Sequence, residues 1–286
     1  MTKTKVIVCS NSGVDYIKND YDIEVFRSIV QFSDTEKYDD YTEISAEAFY
    51  NRLTTDKNAF PRTAYVSPGH MIEVFEQAKK DGYDSALVIV ISKPLSGLHD
   101  AVKLISQEVE NFDVTVYNSL SLSYPEAIMA IDAARMFEEG KSMDEVIKRL
   151  DFIRDNHRFL FAVDTLEYLI KNGRLSKVAG VFANMLAIKP VLQLNKEGKV
   201  ETLEKVRTAK GARKRIAEIF LDDIKDKDVI PFIVHCNAKP EVLDELEKAV
   251  LTARPELVKL EKYPLTPVVG AHTGPGAVCL GYIVKQ

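Results

Sequence analysis

The stretch Ser85-Ala-Leu-Val-Ile-Val-Ile91 decides how the first half of this chain folds, and Ser92-Lys-Pro-Leu-Ser-Gly97 follows it directly. An uncharged run rich in β-branched side chains is typical of a strand buried on both faces of a parallel sheet. Val6–Cys9 and Val114–Tyr117 have the same texture, and segments with helical spacing, such as residues 71–78, lie between these runs. Strands that alternate with helices predict an α/β fold with a doubly wound parallel sheet.

The texture changes after Asp155. Ile188–Leu194 and Lys199–Lys205 flank Asn195-Lys-Glu-Gly198, a pattern that predicts a hairpin of two antiparallel strands. Helical patterns follow near residues 209–222 and 240–251, with a strand-like run between them. We therefore expect an N-terminal parallel α/β domain over residues 1–155 and a C-terminal α+β domain with an antiparallel sheet over residues 156–286.

Composition and charge exclude several classes of protein. The 286 residues include 38 Lys and Arg against 43 Asp and Glu, a net charge of −5 with no basic cluster of the kind that nucleic acid needs. Three widely separated cysteines suit a reducing compartment, and the histidines show no metal-site spacing. The apolar runs are too short for a signal peptide or a membrane span. We expect a cytoplasmic protein without stable membrane insertion and without a metal site.

Small polar residues follow the predicted strands of the first half. Ser12 lies after the first strand, Thr63 lies in Arg62–Pro68, and Ser96 precedes Gly97 before the third helix. Ligands of open α/β sheets bind outside the carboxyl ends of the strands, where helix N-termini also point, so Ser96 and Gly97 could hold an anion. The alternative is that Ser96, like Ser67, is only a helix cap.

Two further candidates lie in the second half. His272 lies in Gly270-Ala-His-Thr-Gly-Pro-Gly276, whose glycines and proline predict a tight loop rather than a helix or a strand. Arg174 lies in a predicted polar turn, Lys171–Arg174, where a solvated cation is the alternative. The basic residues between Lys205 and Arg215 predict an exposed helix face, or alternatively a docking surface for an acidic partner. The sequence contains neither a G-x-S-x-G elbow nor a Walker A segment.

Taken in order, these segments resemble the DegV family of fatty-acid-binding proteins, the B subunits of bacterial fatty acid kinase. The resemblance covers almost the whole chain and rests on the following segments: Asn11-Ser12 with Asp15, Thr63 after Pro61-Arg62, Ile91–Gly97, Tyr117–Ser119, Tyr168–Ser176, Lys189–Val191 and Gly270–Gly276. The family usually has Asp where this chain has Asn11 and Asn118, a Thr-Ser-x-Pro-Ser segment where it has Thr63–Pro68, and Thr where it has Leu98.

The resemblance implies a long-chain fatty acid clamped between the two domains. Thr63 and Ser96 would bind its carboxylate, His272 would orient or neutralise it, and Gly97 and Ser12 complete the implied ligand-binding set. Arg174 would lie near the opening and assist phosphoryl transfer by a separate kinase subunit, which supplies ATP and Mg²⁺. The acyl phosphate would pass to an acyltransferase and feed phospholipid synthesis, so the chain itself would be a substrate-presenting subunit without a cofactor or catalytic residues of its own.

Two other functions stay open on the sequence. One is a serine-dependent hydrolase or transferase that uses Ser96 or Ser12 with His272. The other is a lipid-responsive regulatory protein without a kinase partner. The sequence does not predict which acyl chain length is bound, since Phe182, Met185 and Leu186 could line a tunnel or belong to an ordinary core.

Overall fold

The computed structural model describes residues 3–56, 58–175 and 188–286; Phe182, Met185 and Leu186 lie outside them. The first half is built on a parallel four-stranded sheet in the order β2-β1-β6-β7. This confirms the parallel α/β fold expected from the buried apolar runs. The strands are β1 (Thr4–Cys9), β2 (Ile23–Phe26), β6 (Ser85–Val90) and β7 (Asp113–Asn118).

Helices cover both faces of this sheet, because its side chains alternate between two apolar surfaces. Val88 and Val90 pack with the helices on one face, while Leu87 and Ile89 pack into the core on the other. Ser67 caps one helix by accepting from the backbone N–H of His70 at 3.2 Å, as its position before Pro68 predicts. The helices of this half are α1 (Ala46–Thr55), α2 (Pro68–Lys80), α3 (Leu98–Ile105), α4 (Tyr124–Glu138) and α5 (Met143–Asp155).

A small antiparallel sheet, which the sequence did not suggest, lies beside the parallel one. Its order is β4-β3-β5, with β3 (Ile29–Gln31), β4 (Lys37–Asp39) and β5 (Arg62–Ala64). Strands of three residues give too short an alternation to be recognised in a sequence. This sheet matters for the site because Thr63 lies on β5.

The second half is built on a six-stranded sheet in the order β10-β9-β8-β13-β11-β12. Most neighbours are antiparallel, and the predicted hairpin joins β9 to β10, but β11 and β12 pair in parallel. The strands are β8 (His157–Ala162), β9 (Val191–Leu194), β10 (Val200–Glu204), β11 (Val229–His235), β12 (Glu261–Pro264) and β13 (Val278–Val284). The helices are α6 (Glu167–Lys171), α7 (Ala209–Asp223), α8 (Pro240–Ala253) and α9 (Pro267–Thr273).

The two halves share a core between their sheets. Leu160 and Leu280 face α7 and α8, whereas Phe159 and Phe232 face the first half. Tyr124 of α4 packs on Phe232 with 4.7 Å between ring centroids. The domain boundary after residue 155 stays a prediction. In the part of the chain that is described, no helix combines the length and the apolar character that a bilayer span requires.

Candidate functional site

A pocket lies where the halves meet, at the carboxyl ends of the parallel strands. Its empty volume is about 930 Å³, which includes space open to solvent at the mouth. Only about 100 Å³ of this volume is wide enough for the centre of a water molecule, so the pocket is narrow. Most lining side chains are apolar: Ile91, Leu95, Leu98, Leu122, Phe159, Phe161, Leu169, Val200, Leu265, Val268 and Val269. Such a pocket suits an elongated apolar ligand.

Thr63 and His272 form a polar pair in the wall of this pocket. Oγ1 of Thr63 lies 2.9 Å from Nε2 of His272, although 209 residues separate them in the chain. Burial, reinforced by the positive charge of Arg174, lowers the pKa of His272 to about 4. The imidazole is therefore neutral at pH 7, and it offers one N–H donor rather than a positive charge.

Ser96 also lines the pocket, and its contact is local. Its Oγ accepts from the backbone N–H of Leu98 at 3.2 Å, while Gly97 is the residue at the N-cap of α3. Ser96 thus bonds to the first turn of α3, as the helix-cap alternative predicted, but the N-cap residue itself is Gly97. Because a hydroxyl has one proton and two lone pairs, accepting from Leu98 leaves the proton of Ser96 available to a ligand.

Arg174 lines both this pocket and an adjoining surface groove, so it lies at the mouth. Its side chain is held by backbone carbonyls: Nε donates to Leu95 at 3.2 Å, and Nη1 donates to Asn172. Among the described residues no carboxylate pairs with it at ion-pair distance. An exposed guanidinium held by neutral acceptors keeps its charge for an incoming anion.

The segment that carries His272 corrects one expectation. Residues 267–273 form α9, so the loop predicted over Gly270–Gly276 is wrong for its first four residues. Gly270 lies inside this helix, and Tyr50 packs directly against it. A Cβ at this position would lie 2.3 Å from the Tyr50 hydroxyl, so the contact leaves no room for a side chain. Only Gly274 and Gly276, with φ of 74° and 80°, have the left-handed conformation that the glycines suggested. The turn predicted over Lys171–Arg174 is present at Asn172 and Gly173, and only its first residue, Lys171, belongs to α6.

Two predicted ligand-binding residues lie outside the pocket lining. Ser12 is buried, and its Oγ accepts from the N–H of Val14 at 3.2 Å. Gly97 lies beside Ser96 but contributes no lining surface. Their binding roles stay predictions.

The lining includes residues that the sequence did not single out for binding, namely Asn11, Ser28 and Tyr65. Ser28 and Tyr65 flank strands too short to recognise. Asn11 follows β1 and was quoted as part of the family resemblance and as a departure from its pattern, without a binding role.

The other departures have separate consequences. Oδ1 of Asn118 accepts from the N–H groups of Lys93 and Leu120 at 3.1 and 3.2 Å, contacts that an aspartate oxygen would also make. Leu98 adds an apolar side chain to the pocket where the family has a hydroxyl. Across residues 3–56, 58–175 and 188–286, no three His, Cys, Asp or Glu side chains converge as metal ligands.

In sequence comparisons, the chain matches one family over almost its whole length. A family model described as "Uncharacterised protein, DegV family" matches residues 3–285. A DegV domain-containing protein of Clostridium acetobutylicum is 32% identical over 285 residues, which are 99% of each chain. One from Listeria monocytogenes is 30% identical, with coverage of 98% of this chain and 99% of the relative.

Solved structures share the fold. The fatty acid binding DegV family protein of Streptococcus agalactiae superposes with a TM-score of 0.88 at 26% identity, covering 100% of both chains. DegV of Bacillus subtilis, a fatty acid binding protein, gives 0.87 at 26% identity and the same coverage. A DegV family protein of Thermus thermophilus with fatty acid binding gives 0.86 at 26%, covering 99% of this chain and 100% of the other.

Proposed function

This chain belongs to the DegV family, and from that premise we propose that it binds a long-chain fatty acid in the pocket between its halves. It presents the carboxylate to a separate ATP-dependent kinase subunit, which converts it to an acyl phosphate. Related structures at 26% identity are described as fatty-acid-binding proteins, which supports the first step.

The observation that carries this proposal is that three polar side chains, Thr63, Ser96 and His272, lie in an otherwise mostly apolar pocket. Ser96 accepts a hydrogen bond from the protein and keeps its own proton to donate. If Nε2 of His272 is the protonated nitrogen, Thr63 accepts from it and likewise keeps its proton. Two hydroxyl donors can then bind the two carboxylate oxygens, because an ionised carboxylate only accepts.

The energetics favour this division of the ligand. Burial of an acyl tail contributes about 0.8 kcal/mol per CH₂ group, so a long chain supplies roughly 10 kcal/mol. An unpaired buried carboxylate would cost several kcal/mol or would take up a proton. The donors at Thr63 and Ser96 remove that cost, and the pocket mouth keeps the carboxylate within reach of a partner.

Phosphoryl transfer requires a reachable carboxylate oxygen. That oxygen forms a bond to the γ-phosphorus of ATP while the bond to the β,γ-bridging oxygen breaks, so that ADP leaves. Transfer of this kind depends on positioning and charge stabilisation, and the kinase subunit supplies ATP and Mg²⁺. Arg174, at the mouth, stabilises the developing charge. The acyl phosphate is then consumed by an acyltransferase of phospholipid synthesis.

Extraction of the purified protein tests the binding step. We expect mass spectrometry to detect a long-chain fatty acid in about one copy per chain. Thr63→Val and Ser96→Ala each remove one donor and should weaken binding by roughly tenfold. Thr54→Val, on an exposed threonine of α1 outside the pocket, is the matched control. A wild type that binds no fatty acid after delipidation and reloading would refute the proposal.

Reconstitution with a kinase partner tests the second step. A pull-down from the native host should recover an ATP-binding subunit, and Arg174→Ala should lower acyl phosphate formation at least tenfold while fatty acid binding stays within twofold. Arg135→Ala removes a surface arginine of α4 that does not line the pocket, and it should leave both acyl phosphate formation and fatty acid binding unchanged. Recovery of lipid-loaded protein without such a subunit would favour the regulatory alternative, and covalent labelling of Ser96 by a serine-reactive probe would favour a hydrolase.

A further inference from the structure

Two polar residues of the pocket have no part in the carboxylate site just proposed. Asn11 and Ser28 line the same pocket and are 4% and 7% exposed, respectively. Asn11 follows β1, and Ser28 immediately precedes β3. We call this pair the polar niche.

The protein leaves hydrogen-bonding capacity unused in the polar niche. Nδ2 of Asn11 donates to Oε2 of Glu126 at 2.8 Å, and no donor reaches its Oδ1 among the described residues. The backbone N–H of Ser28 donates to Oγ of Ser10 at 3.2 Å, but the Ser28 hydroxyl has no partner within the same residues. Both residues line the pocket, so each free group can take a hydrogen-bond partner from inside it.

Strand register fixes where the polar niche lies relative to the carboxylate donors. Val30 of β3 pairs with Thr63 of β5 in an antiparallel register. Side chains two residues apart share a face of a sheet, so Ser28 lies on the same face as Thr63. Diagonal neighbours of this kind are about 7–8 Å apart. Ser28 is therefore within reach of the first few carbons of a chain whose carboxylate is held by Thr63.

The chemistry of the polar niche selects a group that both donates and accepts. Glu126 is completely buried, and burial raises the pKa of its carboxyl well above the ordinary value. Because Nδ2 of Asn11 donates to this carboxyl, Oδ1 of the amide is the atom left free to accept from a ligand. A ligand hydroxyl can donate to Oδ1 of Asn11 and exchange a second hydrogen bond with the Ser28 hydroxyl.

We propose that the polar niche binds a hydroxyl group that the fatty acid carries within a few carbons of its carboxylate. This inference rests on the proposed function and specifies its ligand class: 2- or 3-hydroxylated long-chain acids are bound in preference to unsubstituted ones.

The test compares ligands of equal length on the full-length, delipidated protein. Hexadecanoic acid, 2-hydroxyhexadecanoic acid and 3-hydroxyhexadecanoic acid compete with a fluorescent fatty acid, and 12-hydroxyoctadecanoic acid is compared with octadecanoic acid. We expect at least one of the 2- and 3-hydroxy acids to bind roughly three- to tenfold more tightly than its parent, the range of one net hydrogen bond, and the 12-hydroxy acid to gain nothing. Ser28→Ala should abolish the preference while the affinity for hexadecanoic acid stays within twofold.

Ser33→Ala is the matched control, because Ser33 is an exposed serine of the β3–β4 turn that lies outside the pocket. Equal or weaker binding of both near-carboxyl hydroxy acids by the wild type overturns the inference but leaves the proposed function standing. Failure to bind any of the acids overturns both. If Ser28→Ala does not give a normal melting transition, the wild-type comparison among the positional isomers decides by itself.

Discussion

At the scale of single residues, the state of His272 decides how the carboxylate is bound. Burial, followed by the charge of Arg174, lowers the pKa of this imidazole to about 4. The ring then contributes hydrogen-bonding geometry through Thr63 and no charge. This differs from neutralisation of the ligand by an imidazolium, which the family resemblance also allowed.

NMR can test this protonation state directly. We expect the ring resonances of His272 in the delipidated protein, assigned by their loss in His272→Gln, to stay unchanged between pH 8 and pH 5.5. The exposed ring of His70, which pairs with Glu73 at 3.2 Å, provides an internal comparison in the same spectra. Titration of His272 with a midpoint near 6.5 would show that the ring is not desolvated as described.

Residue-scale chemistry was only partly predictable from the sequence. Thr63, Ser96, His272 and Arg174 were proposed through the family resemblance, and the structure brings all four to one pocket. The pairing of Thr63 with His272 could not be read from the sequence, since nothing in local spacing relates residues 209 positions apart. Ser28 carries no motif, and Asn11 was quoted in the family resemblance without a binding role, so only the folded pocket identifies both as lining residues.

At the scale of elements, α9 positions the histidine, and Gly270 determines how closely this helix approaches α1. The Tyr50 hydroxyl is buried against that helix and donates to the carbonyl of Leu265 at 3.0 Å. A methyl group on residue 270 would overlap the Tyr50 ring and hydroxyl, with distances between 2.3 and 2.7 Å. The glycine therefore serves close packing and not chain reversal.

Gly270→Ala should consequently destabilise the protein by about 1–3 kcal/mol, the usual cost of overpacking a core, and should also weaken fatty acid binding by moving His272. Urea unfolding measures the first effect, and ligand titration measures the second. Gly69→Ala is the control, because nothing lies within 4 Å of that Cβ position in α2 and alanine favours a helix. A Gly270→Ala variant as stable as the wild type would show that the contact with Tyr50 is not a constraint.

The outcome for α9 shows where reasoning from local sequence fails. Glycine and proline in Gly270–Gly276 predicted a loop, because both residues disfavour helices in isolation. Thr266 at the N-cap and Pro267 in the first turn are helix-start signals that lay just before the segment considered. Packing against Tyr50 then overrides the low helix propensity of Gly270. By contrast, β6 and the hairpin of β9 and β10 were predictable, because a long apolar run and an Asn-x-x-Gly turn are local signals.

At the scale of the whole molecule, a parallel sheet in the first half and a largely antiparallel one in the second were predictable from periodicity, but the strand orders and the contact between the sheets were not. The parallel pairing of β11 with β12 and the sheet of β3, β4 and β5 depend on long-range contacts. One such contact buries Asp40, whose Oδ1 accepts from the N–H of Val268 at the start of α9 at 3.4 Å. A carboxyl group is thus enclosed where the two halves meet.

This buried carboxyl predicts how global stability varies with pH. Burial is the largest influence on Asp40 and raises its pKa to about 7, against an unfolded value of about 3.9. Between these two values the folded protein holds a proton that the unfolded chain releases, so stability from this group falls as pH rises and is lost above about pH 7.

Asp40→Asn cannot titrate, so the stability of the wild type relative to this variant should decrease from pH 5 to pH 8. The expected slope approaches about 1.4 kcal/mol per pH unit near about pH 5.5, midway between the two pKa values, and shrinks towards pH 8. Urea unfolding at each pH measures the difference, and Asp34→Asn, at an exposed turn position, should show no such slope relative to the wild type. A wild type that gains stability over Asp40→Asn as pH rises would mean that Asp40 is ionised in the fold and that the junction of the halves admits water or a compensating cation.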